Sequence, residues 1–324
     1  MDSDKDQQRV SGRREFLSQV SAAVAGSAWA LASTSRAKAA ALDKAPAPGP
    51  TLPTIRLGNH RVSRLVAGSN PILGYSYLGP SLNEAMKDYF TPEHIIEFLF
   101  RCEREGINTH QGTYSEMTAG LWRRLRQQGS KINFICLHSG GSRNAPVEKV
   151  VEDTRPIAIV HHGGATDRLF REGKSGEVRD FVKRVRDAGV LAGVSAHNPD
   201  CIKRVADEGW PVDFFMTCFY YLTRTPEELK KMPPVVTVQI GYSFFASDPL
   251  EMTKVARQVD QPCLGFKILA AGRKCEKESL VREAFKFAFE HLKPSDGVIV
   301  GMYPRFHNQI QQNAQYTRQF GAAS

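Results

Sequence analysis

The sequence predicts an α/β fold, a (β/α)8 TIM barrel, and three observations carry that expectation. First, residues 190–222 read as strand, helix, strand. An apolar run at 190–194 gives way to Ser195-Ala196-His197. Asn198-Pro199-Asp200 then has the chemistry of a helix start, with Asn as N-cap and Pro where its missing N–H is not needed. Ile202, Val205 and Ala206 recur at helical spacing, Gly209 suits the position after a helix, and 212–219 is a second apolar run. Such a unit sets two parallel strands side by side. Second, the unit recurs: eight apolar runs fit between Leu65 and Met302. Third, His110, His138, His161, His197 and Cys218 stand at the ends of runs, where barrel strands present their chemistry.

Taken in order, residues 55–65 read as a hairpin turning at Gly58-Asn59. Strand 1 is 65–68. A long loop, 70–90, follows, rich in Gly, Pro and Tyr, and loops of that length are often functional. Thr91-Pro92-Glu93 starts a helix with Ile95, Leu99 and Cys102 on one face, closed by Gly106. Strand 2 is 107–111, the next helix 116–128, strand 3 133–138 and strand 4 156–162. A helix over 177–188 precedes strand 5, at 190–194, and strand 6 is 212–219. Residues 221–249 break the pattern and read as an insertion over the barrel mouth, with its own apolar run at 235–240. Strand 7 is 263–269, an amphipathic helix covers 279–292, strand 8 is 298–302, and 309–313 belongs to a closing helix.

The first 39 residues read as a twin-arginine signal peptide rather than fold. Arg13-Arg14-Glu15-Phe16-Leu17 precedes an Ala-rich segment, and Ala37-Lys38-Ala39 has the A-x-A cleavage form. The expectation is export to the periplasm by the twin-arginine machinery, with residues 40–53 as a Pro/Gly linker and 54–324 as the barrel. Hydrophobic content of 41% suffices for a full core, and no uninterrupted apolar stretch is long enough for a stable membrane span. The formal charge is +9, or about +7 without residues 1–39, which hold six Lys/Arg and four Asp/Glu. No run of Lys/Arg interleaved with aromatics marks a nucleic-acid site. The six cysteines form no C-x-x-C pair and read mainly as small core residues.

Four segments resemble the aldo/keto reductase family: the hairpin, Ile157-Ala158-Ile159-Val160-His161-His162, Gly193-Val194-Ser195-Ala196-His197-Asn198, and the 298–313 stretch ending in Gln309-Ile310-Gln311-Gln312-Asn313. The resemblance implies a reductase of carbonyl or sugar-like small molecules using NADP(H) or NAD(H). It implies cofactor contacts from Gly301, Met302, Arg305, Gln309 and Asn313, with Ser195 and Lys267. A strand end, a glycine and a helix N-terminus would form an anion site on physical grounds as well. His161 matches the family's catalytic His. Asn108 stands for its Asp, Tyr114 follows as its Tyr, His138 replaces its Lys, and Met216 replaces a Gln that would hold the nicotinamide. The phosphate end is kept and the hydride-transfer end rebuilt. In this reading His161 polarises the carbonyl, and Tyr114 or His138 handles the proton.

Two alternatives stay open. His110, His138, His161 and His197, converging at strand ends, would suit a divalent metal in a lyase, isomerase or hydrolase. A decayed, non-catalytic scaffold is the other. Lys267 reads as a cofactor contact, a base or a Schiff-base former. Tyr75, Tyr77, Phe219, Tyr220, Tyr221, Phe244 and Phe245 would line a flat substrate or pack the loops. Export sets a tension with NADP(H), since free nicotinamide cofactor is not expected outside the cytoplasm.

Overall fold

The computed structural model describes residues 51–140, 145–232 and 242–322. The segment read as a signal peptide, most of the segment read as a linker and the apolar run at 235–240 lie outside the described residues. Strands β1 (Thr54–Leu57) and β2 (His60–Ser63) pair antiparallel, Ile55 opposite Val62, as the Gly58-Asn59 turn predicts. Eight parallel strands follow: β3 (Leu65–Gly68), β4 (Thr109–Thr113), β5 (Asn133–His138), β6 (Ala158–His161), β7 (Leu191–Ala196), β8 (Phe214–Cys218), β9 (Cys263–Phe266) and β10 (Gly297–Gly301). They close into a barrel in sequence order, β10 returning to β3 with Val298 beside Leu65.

The helices are α1 (Pro80–Tyr89), α2 (Pro92–Arg104), α3 (Glu116–Gln127), α4 (Val147–Thr154), α5 (Gly163–Arg171), α6 (Ser175–Asp187), α7 (Pro199–Asp207), α8 (Pro226–Lys230), α9 (Asp248–Gln258), α10 (Glu278–His291) and α11 (Gln309–Gly321). Asn198 caps α7 as its chemistry requires, accepting the Asp200 N–H at 3.0 Å. Five helices depart from the sequence reading. α1 occupies half of the expected 70–90 loop, and α4, α5, α8 and α9 stand where no helix was expected. α5 hides because it opens on Gly163-Gly164, a pair that reads as loop. Strand 2 of the reading is displaced by two residues, and that shift matters at the site.

Side chains alternate along each strand, giving two apolar cores. The inner one holds Val66, Ile135, Val160, Phe214, Met216, Leu264 and Ile299, stoppered below by Ile55, Leu57 and Val62 of the hairpin. The outer one packs Phe134, Cys136, Ile159, Val194, Phe215 and Val300 against the helices. Five of the six cysteines are buried free thiols, as their reading as core residues expects. No helix among the described residues is long and apolar enough to cross a membrane.

Candidate active site

Continuing the alternation past the strand ends decides which predicted groups meet. On β6, Ala158 and Val160 face inward and Ile159 outward, so His161 faces the helices and His162 faces the barrel mouth. On β5, Leu137 turns in and His138 out; on β4, His110 turns out and Gln111 in. On β7, Ser195 and His197 both face in. A cavity of about 420 Å³ opens there, lined by Gln111, His162, Ser195, His197, Phe266 and Lys267 among others.

His161 is therefore a core residue. It is 1% exposed, its Nδ1 lies 2.8 Å from the Thr166 hydroxyl, and its ring packs edge-on against Phe181. Burial, with the charges of His162 and His138, drives its pKa down to about 3. His138 has both ring nitrogens occupied: Nδ1 accepts the Gly140 N–H at 2.9 Å, and Nε2 lies 2.8 Å from the Ala145 carbonyl oxygen. His110 stacks on Phe134, and burial brings its pKa down to about 4. Among the described residues no three His, Cys, Asp or Glu gather as metal ligands, so the four-histidine reading does not hold there.

Asn108 sits at the opposite end of the barrel. Its Oδ1 accepts the Ser63 N–H at 2.9 Å and its Nδ2 donates to the Arg61 carbonyl oxygen at 2.9 Å, pinning β2. The inward residue nearest the mouth on this strand is Gln111, three positions on. Tyr114 points away from the cavity, and its hydroxyl donates to Asp153 at 2.5 Å.

The catalytic-looking pair is one that linear reading missed. Asp167 on α5, its side chain 1% exposed, lies 2.9 Å from His197 Nδ1. It also accepts the His197 and Asn198 N–H groups and the Thr223 hydroxyl, the last at 2.9 Å. A carboxylate so surrounded by donors takes the proton-bearing Nδ1 of His197, which leaves Nε2 as a lone pair for the cavity. His162 has the opposite tautomer. Its Nδ1 accepts the Ala165 N–H at 3.4 Å as the cap of α5, so Nε2 carries the hydrogen. Both pKa values are lowered, first by burial. The Lys267 charge lowers both further, and Asp167 raises His197 in part. One neutral imidazole that accepts and one that donates thus share a cavity.

Gly163 makes the juxtaposition possible, since a Cβ there would lie 3.0 Å from Ser195 Oγ and 3.2 Å from His197 Cε1. Opposite, the Lys267 ammonium sits 4.8 Å from the Tyr77 ring centre and 4.9 Å from that of Phe266. Lys267 and Tyr77 both hold left-handed backbone, with φ of 60° and 59°, a conformation that non-glycine residues adopt at a penalty. Of the aromatic set, Tyr75 and Tyr77 line the cavity, whereas Phe219 and Tyr220 are buried packing.

The expected dinucleotide segment reaches the cavity only in part. The space a Cβ would take at Gly301 is filled by Pro71, at 2.6 Å. Met302 and Asn313 are buried in the fold. Gln309 does line the cavity, but its Oε1 accepts the Tyr303 N–H at 2.7 Å. The Gln311 and Gln312 N–H groups at the start of α11 are taken by Asn308. Arg305 is exposed, beside the Tyr303 hydroxyl. Gly301 and Gln309 line the cavity, whereas Met302, Arg305 and Asn313 do not. Ser195 and Lys267 belong to the cavity as well.

No protein-family model matches the chain, and no curated protein sequence matches it. Among solved structures it is similar to the aldo-keto reductase AKR11C1 from Bacillus halodurans in holo form, 14% identical, with 84% of this chain and 92% of that chain covered and a TM-score of 0.49. It is also similar to the glycerol dehydrogenase AKR11B4 from Gluconobacter oxydans, 12% identical, with 84% and 90% covered and a TM-score of 0.47. A truncated 3-deoxy-D-arabino-heptulosonate 7-phosphate synthase from Thermotoga maritima is similar to the same extent, 14% identical, with 83% and 91% covered and a TM-score of 0.46.

Proposed function

We propose that this chain is an enzyme that moves a proton on a small, sugar-like molecule bearing a carbonyl and hydroxyl groups. The observation that carries this is the buried Asp167 carboxylate holding His197 with its Nε2 toward the cavity that His162 also lines. His197 Nε2 takes the proton from the carbon beside the carbonyl. His162 Nε2–H donates a hydrogen bond to the carbonyl oxygen, where negative charge develops. Asp167 is a positioning residue: it fixes the His197 tautomer and stabilises the imidazolium that forms. Export through the twin-arginine signal belongs to the same proposal, and proton transfer needs no free dinucleotide in the periplasm.

A second reading is an oxidoreductase acting on the same carbonyl with NADP(H) or NAD(H). It is favoured by Gly301, Tyr303 and Gln309 lining the cavity that His197 enters. One experiment separates the two. Hydroxy-aldehydes and hydroxy-ketones are incubated with the protein in D2O, and carbon-bound deuterium is followed by NMR, with and without NADPH. Deuterium incorporation without NADPH, lost roughly 100-fold or more in His197→Ala and Asp167→Asn, is the expected result. NADPH-dependent reduction with no exchange would replace it with the second reading, and neither reaction would overturn both.

A further inference from the structure

We propose that the substrate of this site carries an anionic group, a carboxylate or a phosphate, which docks between the Lys267 ammonium and the N-terminus of α5 with the Ser195 hydroxyl beside it. The inference rests on the cavity being the active site and adds the charge class of its substrate.

Three independent observations converge. First, no Asp or Glu lines the cavity among the described residues, and none comes within ion-pair distance of Lys267. Its neighbours are the Tyr77 and Phe266 rings, which stabilise a cation without neutralising it. Asp167, the carboxylate nearest to the cavity side chains, is already saturated by His197, Asn198 and Thr223. A cation held on a strained backbone inside an acid-free cavity is set up for an anion that arrives with the ligand.

Second, α5 is a nine-residue helix whose first two residues, Gly163 and Gly164, both line the cavity. Neither N–H makes a hydrogen bond among the described residues; the following two, of Ala165 and Thr166, go to His162. Free N–H groups at the positive end of a helix bind negative charge. Third, Ser195 is 1% exposed and faces the cavity, and its hydroxyl has no partner among the described residues. A Cβ on Gly163 would lie 3.0 Å from that oxygen, so hydroxyl and helix N-terminus address one spot. The oxygen itself is reached from the cavity, so it is free to donate to a ligand bound there. The Phe266 ring ties the two sides together. Its centre is 4.9 Å from Lys267 Nζ and 5.7 Å from the centre of the His197 ring.

The test uses isothermal titration of the protein with glucose 6-phosphate, gluconate and glucose. Binding of either anion, with glucose at least 10-fold weaker, is expected. The preferred anion distinguishes phosphate from carboxylate. Lys267→Met lowers that affinity about 10-fold or more, Lys267→Arg keeps most of it, and Ser195→Ala loses several-fold. NMR of the His197 ring gives a readout that turnover does not supply. Anion binding moves the His197 pKa upward, and in Lys267→Met the same shift needs about 10-fold more anion. Equal binding of glucose, or an affinity unchanged in Lys267→Met, overturns the proposal while leaving proton transfer standing. Anion binding without deuterium exchange does the reverse.

Discussion

His162 and His197 are chemically alike and are made different by their neighbours. A carboxylate on Nδ1 makes one an acceptor toward the cavity, and a backbone N–H on Nδ1 makes the other a donor. Desolvation at the cavity lowers both pKa values, although the His162 ring stands exposed at the mouth, and the shift favours the neutral form of each ring. The sign of the pH dependence follows. The base form of His197 persists below the ordinary histidine value and is lost only as the pH falls through its lowered pKa. Exchange activity is therefore expected to hold between pH 7.5 and about 6.5 and to decline on further acidification. A pH profile of kcat/KM checks this, and an acid limb centred above about 6.5 would contradict it.

The strands explain why some of these groups were legible and others were not. The bounds of β5 match the reading, and the His at its end was found. Which side it faces is a matter of parity. A single residue separates His161, buried in the outer core, from His162 at the mouth, because successive strand residues point to opposite faces. The reading placed β4 two residues early, and the family resemblance assigned Asn108 to the site, whereas it pins the hairpin at the far end. The segment after β9 has its own strain: Lys267, Ala270 and Ala271 are left-handed at φ of 60°, 49° and 50°. Relieving it away from the ammonium tests that account. Ala271→Gly is expected to raise the unfolding free energy by about 1 kcal/mol, measured by urea denaturation.

The barrel closes at its base through Arg64, which is 4% exposed. Its guanidinium donates to the carbonyl oxygens of Asp296, Gly321 and Lys293, and it lies 4.7 Å from the Phe289 ring centre. This ties the start of β3 to the start of β10 and the end of α11. Arg64→Ala would remove a donor from the buried Asp296 and Gly321 carbonyl oxygens, while that of Lys293 keeps the Asp296 N–H. It is expected to lower stability by roughly 3 kcal/mol, read by urea denaturation, with substrate affinity unchanged because the cavity lies at the other end.

The sequence by itself determined the barrel. Strand, cap and glycine signals are local, and eight repeats of one local unit leave few topologies open. It also named Ser195, His197, Lys267 and Gln309, which do line the cavity. Only the tertiary structure decided that His197 pairs with Asp167, thirty residues earlier on a helix whose opening glycines read as loop. Only the tertiary structure turned His110, His138 and His161 outward, and set Pro71 against Gly301. The reason is physical. Secondary structure follows from interactions between neighbours in the chain, whereas a site depends on which face of each strand meets the mouth and on what distant segments pack beside it.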